Sequence, residues 1–180
     1  MSSYYFVIIG TQDNPIYETE LSSSSSKNSN LSNSSSSNSS IINTTSTTNS
    51  SINNSSNTSS TANNLNQSNF PTSTREILPF IANASLDLIE DQMWSTQLLN
   101  LGKIDQFYSI FINAYLTQGN IKFILCHNNT TKDENSIKSF FQDINELYVK
   151  VLMNPFYNLN DSILVPDFDN KIKLLAKKYL

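Results

Sequence analysis

The sequence holds one cysteine, one histidine and three glycines in 180 residues, and each scarcity removes a class of function. Cys126 alone forms no internal disulfide, so nothing points to an oxidising compartment. One His and one Cys do not make a zinc site of the usual four-ligand kind. Gly10, Gly102 and Gly119 are scattered, which excludes a glycine-rich loop cradling phosphates. Basic residues are also few: 11 Lys and Arg against 15 Asp and Glu leave a formal net charge of −4. A nucleic-acid binder would show a basic field instead. Long apolar runs are missing. A membrane helix needs about 20 apolar residues, and a secretory signal needs a basic start followed by about 7–15 apolar ones. The opening run from Tyr4 to Ile9 is too short for either, no Lys or Arg precedes it, and Gly10 ends it. The expectation is a soluble intracellular chain without leader or anchor.

What is present at the start reads as a β-hairpin. "YYFVII" is β-branched and aromatic, apolar on both faces, and suits the middle of a sheet. "TQDNP" supplies turn residues, and "IYETEL" alternates as a strand with one wet face. From Ser22 to Asn69, about forty of forty-eight residues are Ser, Asn or Thr. Such a tract has too little apolar surface to build a core. It is expected to be a disordered insert at 22–69 within a single domain spanning 1–180, tolerated because closure entropy grows slowly with loop length. Its Asn-x-Ser/Thr triplets, as at Asn33 and Asn54, are unavoidable in this composition and are not read as glycosylation sites.

Beyond the tract, "STREILPFIANASLDLIEDQMW" predicts a helix with Ser73 and Glu76 as a capping box. Ile77, Phe80, Ile81, Ala84 and Leu88 recur at helical spacing as its core face. Pro79 either sits in the first turn or kinks the helix. Three strands follow, at Lys103 to about Phe107, Ser109 to Leu116 and Ile121 to His127. A second helix carries the stripe Ile137, Phe140, Phe141, Ile144, Leu147, Tyr148 and Val151, with Thr131 and Glu134 as its capping box and Asn154-Pro155 as its stop. A last helix starts at Asp167 as N-cap and buries Phe168, Ile172, Leu175 and Tyr179. The order ββ-α-βββ-α-α describes an α+β domain with a five-stranded antiparallel sheet and helices covering its faces.

Catalytic machinery is hard to find. His127 adjoins Cys126 on a predicted strand, where neighbouring side chains point to opposite faces, so the two do not form a nucleophile–base pair. Asp87, Glu90 and Asp91 cluster on the first helix, either as acid–base groups or metal ligands or as a solvated face, and no second cluster pairs with them. The Lys-rich last helix reads as core-facing, with a membrane-surface element as the alternative. No catalytic residue, cofactor or metal is expected. Elimination leaves a binding or assembly module. On the first helix Leu86, Ile89 and Met93 lie nearly opposite the expected core face, with Asp87 and Glu90 in a polar stripe between the two. A helix apolar on two sides is either buried between layers or meets a partner.

Five collinear stretches, "YYFVIIG", "DNPIYETE", "FIANASLDLIEDQMW", "FYSIFINAYLTQGNIKFIL" and "IKSFFQDINELYVKVLMNPFY", resemble the sedlin family, small subunits of the TRAPP vesicle-tethering complex. The resemblance implies a longin-like (SNARE-like) fold and a non-enzymatic adaptor role in transport between endoplasmic reticulum and Golgi. It implies other TRAPP subunits, small and large, as partners, an indirect link to a Rab GTPase, no contact with nucleic acid, and only peripheral membrane association. The expected location is the cytoplasm and the endoplasmic reticulum–Golgi membranes, with a perinuclear position left open. Asp87 in "LDLIED" matches a family Asp implicated in joining larger subunits, so Asp87, Leu86, Ile89, Glu90 and Met93 form the expected protein-interaction site. The alternative is another longin-like binding module, a SNARE-regulatory domain or a coat-adaptor small chain. The Ser/Asn/Thr tract and the stretch "NLNDSILVPDFDNK" depart from the family pattern.

Overall fold

The computed structural model describes residues 2–22 and 70–180. The Ser/Asn/Thr-rich tract, and with it the expectation of an interrupted single domain, lies outside them except for Ser22, which closes the second strand. The elements are β1 (Ser3–Ile9), β2 (Pro15–Ser22), α1 (Thr72–Ala84), α2 (Leu86–Ser95), β3 (Asn100–Phe107), β4 (Ile110–Leu116), β5 (Lys122–His127), α3 (Glu134–Leu152) and α4 (Pro166–Tyr179). The five strands form one antiparallel sheet in the spatial order β2-β1-β5-β4-β3.

β1 is an interior strand, paired on both edges, and is apolar on both faces. Strand side chains alternate, so Tyr4, Phe6 and Ile8 enter one core while Tyr5, Val7 and Ile9 enter the other. The first core lies under α3 and α4 and is aromatic. Phe6 meets Phe140 edge-on at 5.6 Å between centroids and Phe123 at 6.2 Å, in the tilted geometry that the ring quadrupoles favour. The second core lies under α1 and α2 and is built from Val7, Ile9, Ile112, Ile124 and Cys126. The α3 stripe is as expected: Ile137, Phe140, Phe141, Ile144 and Tyr148 are buried, and Leu147 and Val151 pack at their edge.

The hairpin turn is clamped from outside. Asn160 accepts from the Thr11 amide at 2.8 Å and donates to the Thr11 hydroxyl at 2.9 Å, while Asn14 donates to the Asn160 carbonyl at 3.1 Å. Gly10 is required here, since a Cβ would come within about 2.6 Å of the Asn14 side chain and closer still to that of Asn160. The diverging stretch after α3 is therefore a fastening for the turn. On the next edge, Tyr17 donates to Asp169 at 2.8 Å, and Asp169 accepts from Lys173 at 2.6 Å, holding α4 against β2.

Several local expectations are corrected. The predicted first helix is two helices, broken at Ser85, whose hydroxyl donates back to the Ala82 carbonyl at 2.7 Å. Such back-bonding bends a helix. Pro79 lies inside α1, where it removes one ladder bond without ending the helix. The Ser73–Glu76 box does not form, because α1 begins at Thr72 behind Pro71, whose carbonyl takes the Thr74 and Arg75 amides. For α3 the cap is Asp133, accepting from the Asn135 amide at 3.2 Å, so Thr131 sits too early to cap. For α4 the cap is Val165, since Pro166 takes the first helical position its fixed φ suits. Asp167 instead pairs with Lys171 in the first turn. Ala176 is buried on α4, with Leu175 and Tyr179 at the core's margin. The buried face of α4 is thus occupied by the core, while Leu174 on the same helix is exposed. Among the described residues no helix is long and apolar enough to cross a membrane.

Candidate functional site: the outer face of the first helix pair

The helix pair α1–α2 buries a seam of Leu78, Ile81, Ala82, Ser85 and Ile89, with Leu86 beside it. The spacing is i, i+3, i+4, i+7, i+11, one face of a helix. This reverses the expected assignment. Ile77, Phe80, Ala84 and Leu88, expected in the core, are exposed, while Leu86 and Ile89, expected to face a partner, are buried against the sheet. The cause is that α1–α2 is apolar on more than one side. The small residues Ala82 and Ser85 let the backbone come close to the sheet, so the face between the two candidate stripes is the one that packs. Ile81 belongs to both solutions. A buried serine in the seam was the signal that could have shown it, and its polarity concealed it.

The remaining site residues divide by position. Asp87 and Glu90 are exposed and Met93 is half-buried. Asp87 sits on the side opposite the seam, where Phe80, Leu88 and Trp94 are also exposed. Phe80 is 75 % exposed and Trp94 85 % exposed. This outer face is a ridge of apolar side chains interleaved with the carboxylates of Asp87 and Asp91, and the described residues leave it uncovered. Glu90 serves the fold as well. Its carboxylate is 3.8 Å from the Lys122 ammonium, which also meets Asp13 at 2.5 Å. Lys122 extends from β5 with only 2 % of its side chain exposed, so the two carboxylates from the hairpin turn and from α2 converge on one buried cation. Among the described residues no group of three or more His, Cys, Asp or Glu side chains is placed to hold a metal ion.

The histidine and cysteine are turned apart as the strand alternation requires. Cys126 is buried under α1–α2, where loss of solvent pushes its thiol up to about 12. His127 faces the other core, between Tyr4 and Phe111, with Nε2 at 2.9 Å from Asn113 Oδ1. Burial, helped by the nearby Lys103 charge, lowers its imidazole to about 4. The unfolded chain then binds more protons than the folded one between about pH 4 and 6.5. Stability carried by neutral His127 is complete above pH 6.5 and lost as pH falls toward 4. Urea titrations across that window should show wild type losing about 2 kcal/mol more than His127→Gln; equal losses would show that His127 is not the titrating group.

The family model described as Sedlin matches residues 8–178. The chain belongs to the sedlin family. Its match takes in both helical layers, β2 to β5 and the last two residues of β1. The sedlin-family chain is 31 % identical to trafficking protein particle complex subunit 20 of Saccharomyces cerevisiae, over 98 % of this chain and 97 % of that one. It is 33 % identical to the probable trafficking protein particle complex subunit 2 of Drosophila melanogaster, over 100 % and 99 %. It is 34 % identical to the transport protein particle 20 kDa subunit of Schizosaccharomyces pombe, over 98 % of each. The longin-like fold expected of a sedlin-family member is the α+β architecture described above.

Proposed function

We propose that this chain is a non-enzymatic adaptor subunit of a trafficking protein particle complex, the TRAPP vesicle-tethering assembly. In this reading it works in the cytoplasm, peripherally at endoplasmic reticulum–Golgi membranes, and its link to a Rab GTPase runs through the other subunits. Support comes from end-to-end similarity to proteins named as subunits of that complex. The observation that carries it is the α1–α2 ridge, with exposed Phe80, Leu88 and Trp94 and the exposed carboxylate of Asp87 on its solvent side. Water-exposed helix faces of this kind are docking surfaces. Asp87, Glu90 and Met93 remain at or beside that surface; Leu86 and Ile89 support it from beneath, and Ile77, Phe80, Leu88 and Trp94 take their place in contact.

The test is gentle affinity purification of the tagged chain, sized by gel filtration, with co-eluting subunits identified. Wild type is expected in a large assembly containing other small SNARE-like subunits and larger ones. Phe80→Asp, at a solvent-exposed position, is expected to keep the wild-type melting curve and to lose at least tenfold in retention of one subunit. Elution of wild type as a lone monomer at low salt would count against the adaptor reading, and unchanged capture by Phe80→Asp would remove the ridge from it.

A further inference from the structure

A cavity of about 260 Å³ opens between the β1–β2 hairpin and α1. Val7 and Ile9 of β1 and Pro79 and Phe80 of α1 give it apolar walls, Asp13 and Glu18 also line it, and among the described residues no basic side chain does. Pockets for drug-sized ligands run to about 300–1,000 Å³, so this one suits a single side chain rather than a whole small molecule. Phe80 belongs both to the cavity and to the outer ridge, which makes the two one continuous surface. That surface is acidic. Glu76, Phe80 and Asn83 are exposed at i, i+4 and i+7 of α1, and Asp87, Asp91 and Trp94 are exposed at the same spacing on α2, so each set shares a face. Glu18, Glu76, Asp87 and Asp91 have no ion pair among the described residues. The adjoining cations are committed elsewhere: Arg75 meets Glu20 at 3.0 Å, and Lys122 is buried against Asp13 and Glu90.

From this we infer that the hairpin–α1 cavity and the acidic stripe of α2 dock one arginine-bearing apolar segment of a partner subunit, with an apolar side chain entering the cavity and an arginine lying along α2. Three features select that occupant. The cavity takes one side chain and continues into a helix face, which a polypeptide segment covers and a compact ligand does not. The unpaired carboxylates repel anionic lipid and acidic peptide, and a two-fold contact with a second copy would set the same carboxylates against one another. Arginine fits better than lysine, because its planar guanidinium forks onto a carboxylate while its face stacks on an exposed ring such as that of Trp94. The inference rests on the adaptor reading and deepens it, giving the ridge a partner chemistry and extending it to Val7, Ile9 and Glu18.

The experiment uses the intact assembly purified through the tagged chain and washed at rising salt. Wild type is expected to hold the subunit that Phe80→Asp releases at about 0.1 M salt and to lose it steeply toward about 1 M, as the Debye length falls from about 10 to 3 Å. Asp87→Asn combined with Asp91→Asn, both at exposed positions, is expected to keep the melting curve, to retain at least tenfold less of that subunit at low salt, and to flatten the salt response. Glu146→Gln, which removes an exposed carboxylate on α3, is expected to change neither. Asn83→Phe fills the cavity from an exposed position and should release the same subunit. A photo-crosslinking residue in place of Asn83 is expected to join an arginine-bearing apolar segment of it. Reversing the charge of that arginine should release the subunit, and Asp87→Arg should then restore it. Unchanged retention and salt response in the double asparagine variant, a crosslinked segment without arginine, or crosslinks to lipid or to a second copy of the chain would each overturn the inference. If wild type assembles with no subunits, the adaptor reading itself fails. If Phe80→Asp releases a subunit that the double asparagine variant keeps at every salt, the ridge stands and only this inference fails.

Discussion

Replacing Ile89 by Asp is expected to remove about 4 kcal/mol or more of stability and with it the cooperative thermal transition, while Asp87→Tyr, two residues earlier, leaves the transition near wild type. Ile89 is buried in the seam beside Ile112 and Ile124. Its replacement removes a core side chain, leaves a cavity, and puts a carboxylate where no partner awaits it. Domains hold only about 5–15 kcal/mol in total, so the loss is a large share. Asp87 is on the solvent side of the same helix, where substitutions usually change stability by about 0.5 kcal/mol or less. Its effect should appear in partner retention. Circular-dichroism melting of both purified variants, alongside subunit capture, separates the two roles. A wild-type melt for Ile89→Asp would show that the seam is misplaced. A lost transition for Asp87→Tyr would make Asp87 a folding residue and end its claim on the interface.

The second large effect concerns Lys122. Asp13→Asn removes the nearer of its two carboxylates while keeping the side-chain shape and the positive φ of 58° that Asn also tolerates. The ammonium is then left buried with Glu90, at 3.8 Å, as its remaining carboxylate among the described residues. Breaking a fully buried pair costs about 3–5 kcal/mol. Asp13 and Glu90 are half-exposed, so water compensates in part, and about 2 kcal/mol is expected. Lys122→Met should cost little, because an apolar chain of similar length fills the same space. The double variant should recover most of the Asp13→Asn loss, giving a coupling energy of about 1–2 kcal/mol in urea-unfolding midpoints. Additive effects would show that the pair does not act as a unit.

Legibility in the sequence followed the uniqueness of the apolar pattern. β1 could be placed inside the sheet because every residue from Tyr4 to Ile9 is apolar, and only a strand covered on both faces uses them all. The α3 face was readable because its apolar residues fall on one stripe, with polar residues elsewhere. The α1–α2 pair was not. Ile77, Phe80, Leu88, Leu86 and Ile89 surround the axis, so periodicity alone admits more than one buried side. Asp87 stays off the buried side in either solution: it lies in the polar stripe beside the expected core face and on the side opposite the observed seam. The cavity beside Phe80 had no local signal. It depends on where the β1–β2 hairpin and α1 come to rest, and these are far apart in the chain.

From residue order alone came the number and kind of the strands, the two-faced β1, the stripe of α3, and the absence of paired cysteines or a phosphate-binding loop. Each depends on local backbone preference or on short-range spacing, which neighbouring residues impose directly. Tertiary structure decided which side of α1–α2 meets the sheet, that Lys122 is neutralised from two separate elements, and that Asn160 fastens the first turn. These outcomes compare alternative long-range packings of the same segments. The winning arrangement is the one that lets Ala82 and Ser85 approach the sheet closely while the buried Lys122 finds its counter-charges, and that comparison exists only once the layers are assembled.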